Sequence, residues 1–384
     1  MKRTAFINGM VFDSRKEAFE KKNVICEDGF IVDITSEMPY DCQIFDIEGK
    51  YLIPGLVDVH SHGIGGHDFN CVKEQDIPAM CKRYAQMGTT SVMATLASDN
   101  ITNYINSIFA LNQQRLNHTG GMANILGIHL EGRYLNPEMK GAHALELLAL
   151  PKANEAEELA LAMMPPPMHF SLAPELDGSK EFISKALELG ATIGMAHTNA
   201  TYEQAKDALE NGARSFTHTF NAMTKVHHRM PGAAICALTS DEAYAEIIAD
   251  GEHVHPSMVV LAYKSKPKDK LVLITDSMSA TGEPDGDYFI AGSPVTVRNG
   301  RAIILPSGTI AGSTLTMFKA LKNMMRFCSI PLNEALKYAT VNPASMVKAD
   351  FVGRIEKCFR ADFIVINNIV DPEIDAVYVG AERV

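Results

Sequence analysis

Eight short apolar runs, spaced along the middle of a 384-residue chain and separated by helix-like segments, constrain this sequence more than any other feature. They occupy residues 56–60, 91–95, 125–130, 168–173, 192–197, 215–219, 245–250 and 271–276. Apolar runs without polar alternation are strands buried on both faces, and strands alternating with helices build a parallel sheet that the helices cover. The segments 179–189 and 202–211 between them are amphipathic and close on Gly190 and Gly212. Glycine suits the left-handed position beyond a helix end. Eight such units over this length predict an α/β fold, a closed (β/α)8 TIM-like barrel rather than an open sheet.

The two ends read differently. Short strands at 4–7 and 10–13 flank an Asn8-Gly9 turn, and others at 23–26 and 30–34 flank Glu27-Asp28-Gly29. Further strands are expected at 362–366 and 376–379. Together they predict a small β-sandwich domain assembled from the N- and C-terminal segments. The expected organisation is 1–53 and 346–384 as the two parts of that sandwich, with 54–345 as the barrel. A polar, β-like insertion at 285–305 follows the eighth barrel strand.

The chemistry lies where the strands stop. The first ends in His60-Ser61-His62, the third in His129-Leu130-Glu131-Gly132, the fifth in His197, the sixth in His218 and the eighth in Asp276. A barrel of this type carries its active site at that face, where the loops converge. One histidine at a strand end is ordinarily a hydrogen-bonded core or surface residue, and His67, His118, His129 and His169 are read that way. His60 and His62 are two apart, so both rings point to one side of their strand. Six imidazole and carboxylate groups converging at the end of five strands predict a divalent metal site, suited to zinc or iron.

Composition narrows the partners. A formal net charge of −11 speaks against general nucleic-acid binding, which rests on clustered Lys and Arg. It leaves room for a small anion held by a local basic group. Seven scattered cysteines with no C-x-x-C pair argue against a disulfide framework or thiolate zinc site and fit a reducing compartment. No signal peptide is read at the start, and no run approaches the ~18 apolar residues of a membrane span. A cytoplasmic protein is expected.

Pro54-Gly55-Leu56-Val57-Asp58-Val59-His60-Ser61-His62-Gly63 resembles the first-strand signature of the amidohydrolase superfamily. Four further segments are similar to the N-acetylglucosamine-6-phosphate deacetylase family. They are Gly127-Ile128-His129-Leu130-Glu131-Gly132, Ala196-His197-Thr198-Asn199-Ala200-Thr201, Thr217-His218-Thr219-Phe220-Asn221-Ala222-Met223 and Ile274-Thr275-Asp276-Ser277-Met278. Ala249-Asp250-Gly251-Glu252-His253-Val254 and Ile310-Ala311-Gly312-Ser313 extend the likeness over nearly the whole chain.

The resemblance implies a deacetylase that frees acetate from an N-acetylated amino-sugar phosphate. It assigns Glu131, His197 and His218 to a primary metal and Asp276 to general acid/base work beside the metal. His60 and His62 fall at a second metal position, so one or two ions per subunit are expected. His143 would contact the acyl group or the sugar and join Asp276 as a catalytic residue. Ala142, Asn221, Ala222, Asp250, His253, Ile310, Ala311 and Gly312 fall at substrate-contacting positions. Arg229 would hold the phosphate, reaching the site of a neighbouring subunit in a homodimer.

Two residues depart from the family pattern: Arg133, where proline usually stands, and Met230, where glutamate does. Arg133 can reshape its loop or add an anion contact, and Met230 removes a carboxylate able to orient Arg229. The galactosamine isomer, or another superfamily substrate such as a cyclic amide or N-acyl amino acid, stays open. So does a non-catalytic barrel, against which the complete set Glu131, His197, His218 and Asp276 argues.

Overall fold

The structure, a computed structural model, describes residues 3–305 and 307–384. All eight barrel strands are present: Leu56–Ser61, Thr89–Ala97, Asn124–Glu131, Met168–Leu172, Thr192–Met195, Ser215–Phe216, Tyr244–Ile248 and Leu271–Ile274. They pair in parallel in chain order. The ring closes between the first strand and the end of the eighth. There the Asp276 amide donates to the His60 carbonyl at 2.9 Å and the His62 amide to the Ser277 carbonyl at 2.7 Å. The first, second and fourth strands are buried throughout, as apolar runs covered by helices should be. The fifth, sixth and eighth strands stop two or three residues before the ends read from the sequence. Their polar termini, His197, His218 and Asp276, lie in the loops just beyond.

The chain ends form one continuous eight-stranded sheet. Ile374–Val379 pairs with Phe363–Ile366, which pairs with Tyr51–Pro54, and that strand lies beside Arg3–Asp13. The N-terminal and C-terminal segments therefore share a core, in which Phe6 packs against Phe45, Phe363 and Tyr378.

The expected turn at Asn8-Gly9 is instead a bulge within one strand, Arg3–Asp13, whose register against Ala18–Glu27 shifts between Phe6 and Gly9. The bulge lets the first half of the strand pair with Gln43–Asp46 and the second half with Tyr51–Pro54. Asn8 takes a left-handed φ of 58°. A side chain at position 9 would put its Cβ 2.1 Å from the Ile47 Cδ1 methyl, so the Ile47 side chain would have to shift to admit one.

The insertion after the eighth strand is a four-stranded antiparallel sheet, Gly286–Ile290, Ser293–Arg298, Arg301–Ile304 and Thr309–Ile310. It stands at the strand-end face of the barrel and supplies part of the wall of the cavity there.

Candidate active site

At that face, residues from five strand ends converge around one carboxylate. Glu131 Oε1 lies 2.7 Å from His218 Nε2 and 3.3 Å from His197 Nε2. Its other oxygen, Oε2, lies 3.0 Å from His62 Nε2 and 3.3 Å from His60 Nε2. Asp276 Oδ1 closes the second group, 3.5 Å from His60 and 3.4 Å from His62. The donor atoms of His60, His62 and Asp276 lie close enough together to share one cation, as do those of Glu131, His143 and His197.

The backbone aims these groups at a cost. His197, His218 and Asp276 all sit past a strand end at left-handed φ values of 44°, 33° and 50°. Non-glycine residues so placed cost roughly 1–3 kcal/mol each, which the surrounding structure must offset. Part of the offset is visible in hydrogen bonds. His197 Nδ1 donates to the Met139 carbonyl at 2.7 Å, and its own carbonyl accepts from the Asn136 amide at 2.9 Å. The Asp276 carbonyl accepts from the Ser313 amide at 2.7 Å.

The donor set fits divalent cations. His60 and His62 bring their Nε2 atoms within 3.3 Å of each other, and His197 and His218 bring theirs within 3.2 Å. Imidazole nitrogens facing one another beside a buried carboxylate make the nitrogen and oxygen donor set that a divalent cation takes. The electrostatics agree. Burial would push Glu131 up, but His60, His197 and His218 hold it well below the usual carboxylate range. Burial likewise opposes the charge on Asp276, yet His60 and His62 bring it down to about 2.

His143 differs from the other rings. Burial, then its neighbour His197, pushes it down to about 3, so it is neutral. Its Nδ1 accepts the Ser98 amide hydrogen at 3.2 Å, which leaves the ring proton on Nε2, 3.9 Å from Glu131. The ring therefore presents a hydrogen-bond donor to the cavity.

A cavity of about 360 Å³ opens over these groups. Its lining includes His62, Glu131, His143, His197, His218 and Asp276. Ala142, Asn221, Ala222, His253, Ile310, Ala311 and Gly312 line it as well. His60 lies beneath, fully buried.

Two expected contacts are elsewhere. Asp250 does not line the cavity. Its carboxylate accepts the amides of Glu252 and His253 and, at 2.6 Å, the ring Nδ1 of His253, so it orients His253 instead. Arg229 is exposed and outside the cavity of its own chain, between the exposed Val226 and Met230. Arg133 turns away from the site as well. Its Nε lies 3.8 Å from Glu155, and its Nη1 reaches the Asp99 carbonyl at 3.5 Å.

The sequence reading passed over Glu246 and Ser98. Glu246, in the middle of the seventh strand, is fully buried with Oε2 3.3 Å from His60 Nδ1. The available signal was an acidic residue inside an apolar strand, since such groups are almost never buried unless paired.

A parallel eight-stranded barrel with histidines and carboxylates converging at its strand ends defines a class, and the chain belongs to the amidohydrolase family, whose model matches residues 51–384. Within that class it is a member of the N-acetylglucosamine-6-phosphate deacetylase family. The N-acetylglucosamine-6-phosphate deacetylase of Bacillus subtilis (strain 168) is 32% identical, over 96% of this chain and 94% of that protein. The N-acetylgalactosamine-6-phosphate deacetylase of Escherichia coli O157:H7 is 30% identical, over 90% of this chain and 94% of that protein. The crystal structure of the Pasteurella multocida N-acetylglucosamine-6-phosphate deacetylase superposes with a TM-score of 0.91 at 28% identity, covering 100% of this chain and 99% of that one.

Proposed function

We propose that this enzyme hydrolyses the acetamide of N-acetyl-D-glucosamine 6-phosphate, giving glucosamine 6-phosphate and acetate. The observation that carries this reading is Glu131, whose two oxygens each face a separate pair of histidines with Asp276 alongside. Glu131, His197 and His218 would hold a primary divalent ion, zinc or iron, and His60, His62 and Asp276 a second, with Glu131 between them. A bound ion of this kind acidifies water and polarises the amide carbonyl.

The remaining work falls to the chain's own groups. Asp276, ionised at neutral pH, accepts a proton from the attacking water and returns it to the amide nitrogen. The C–O bond forms, the C–N bond breaks, and the sugar leaves as an amine rather than as a poor anionic leaving group. His143 Nε2–H is placed to donate to the carbonyl oxygen as charge develops on it. Ala142, Asn221, Ala222, His253, Ile310, Ala311 and Gly312 would contact the sugar, with Asp250 setting the tautomer of His253. Arg229, exposed and not part of its own cavity's lining, would hold the phosphate in the site of a partner subunit, and exposed Val226 and Met230 beside it suit such a contact. The terminal sheet, 1–53 with 346–384, is proposed as a domain distinct from the barrel at 54–345.

A second reading, the galactosamine isomer, is favoured by the similarity to the E. coli O157:H7 enzyme. Incubating metal-loaded protein with the 6-phosphates of both N-acetylated sugars and measuring acetate separates them. Faster release from the glucosamine isomer supports the first reading, and faster release from the galactosamine isomer replaces it.

A further inference from the structure

We infer that Glu246 is a positioning residue for the second divalent ion, holding the His60 ring so that its Nε2 is free to bind. The inference rests on the two-ion reading given above.

Glu246 lies in the middle of Tyr244–Ile248, a strand buried at every position. Its Oε2 receives two donors: His60 Nδ1 at 3.3 Å and the His218 backbone amide at 3.2 Å. Its Oε1 is buried with no partner among the described residues. One carboxylate thus touches a residue from each proposed ion position, the ring of one and the backbone of the other. Donation from Nδ1 to the carboxylate places the His60 proton there, away from Nε2. Nε2 in turn lies 3.3 Å from Glu131, 3.3 Å from His62 and 3.5 Å from Asp276, at the centre of the second group.

The arrangement singles out His60. His197 Nδ1 donates to an uncharged carbonyl, while His62 and His218 leave Nδ1 buried without a partner among the described residues. Of these four rings, His60 alone has a carboxylate behind it. Such an outer carboxylate fixes the ring's tautomer and raises its basicity, and its loss typically weakens metal affinity about 10–100-fold.

No Lys or Arg is paired with Glu246 among the described residues, so its side chain is held by the His60 ring and the His218 amide alone.

The test is a comparison of the metal-loaded parent with Glu246→Gln. It uses elemental analysis under graded chelator, with cobalt(II) titration followed by visible absorption. The parent should take up two ions. Glu246→Gln should keep the first at parental affinity and hold the second about 10–100-fold more weakly. Second-ion affinity within twofold of the parent would overturn the inference alone. Equal weakening of both ions would also overturn it, because the carboxylate would then merely support the barrel. A parent that saturates at one ion would defeat the two-ion reading and this inference together, a distinct result. Should Glu246→Gln fail to fold, Glu246→Asp keeps the charge but shortens the reach. Unchanged second-ion affinity there would again contradict the role.

Discussion

Each ring nitrogen in the cluster must give up any proton it holds before it can bind a cation. Burial alone would push His62 down, but Asp276 and Glu131 outweigh it and raise the ring to about 9. The same carboxylates lift His218, and lift His60 well above its ordinary value, against burial. These carboxylates favour the protonated rings when no ion is bound, so protons leave as ions enter. Apparent ion affinity should therefore rise as pH goes from 7 towards 9. Calorimetry in buffers of differing protonation enthalpy should show proton release, and a pH-independent affinity would contradict the proposed ligand set. Asp276 permits a second test. Asp276→Asn keeps the shape but loses the base, so kcat should fall about 10²–10⁴-fold while the primary ion stays bound. Turnover within a few-fold of the parent would assign the proton to another group. The six residues of the cluster were legible because each is polar at the end of an apolar run. Glu246 stood out only as an acidic residue inside an apolar strand, which signals a partner without saying which ring on another strand it is. Asp250 stands at a strand end, but the amides of Glu252 and His253 and the His253 ring take its oxygens, a pairing the sequence does not announce.

Among the elements, the barrel strands were readable because burial on both faces writes continuous apolar runs into the sequence. The Asn8-Gly9 pair was not, since the same dipeptide serves a turn or a bulge and only the neighbouring strands decide. The insertion was visible as β-like, but its position over the site depends on long-range contacts. One of these is testable. Asp68 Oδ2 accepts the Ala291 amide at 2.7 Å, tying the insertion to the loop after the first strand, and the Ser279 hydroxyl donates to the Phe289 carbonyl at 2.6 Å. A hydrogen bond to a charged group contributes about 1.5–3 kcal/mol. Asp68→Ala should speed amide hydrogen exchange over 286–293 and raise KM more than it lowers kcat. Unchanged exchange in that segment would show that the insertion is held by other contacts.

For the whole molecule, the formal charge of −11 makes the placement of positive charge decisive, because an anionic substrate needs one basic group where the net field is unfavourable. Arg229 is proposed for that task from a neighbouring subunit. Mixing Arg229→Ala with Asp276→Asn should then regain activity as subunits exchange, since one hybrid site would carry both intact residues. No recovery despite demonstrated exchange would place the phosphate clamp within a single chain. The central claim is metal-dependent deacetylation, and stripping and reloading the enzyme tests it most directly. Acetate and free amine are measured from N-acetylglucosamine 6-phosphate before chelation, after it, and after zinc or iron is restored. The account predicts equal amounts of acetate and glucosamine 6-phosphate, lost on chelation and recovered on reloading. Undiminished release from fully stripped protein, or no release from the loaded enzyme, would contradict it.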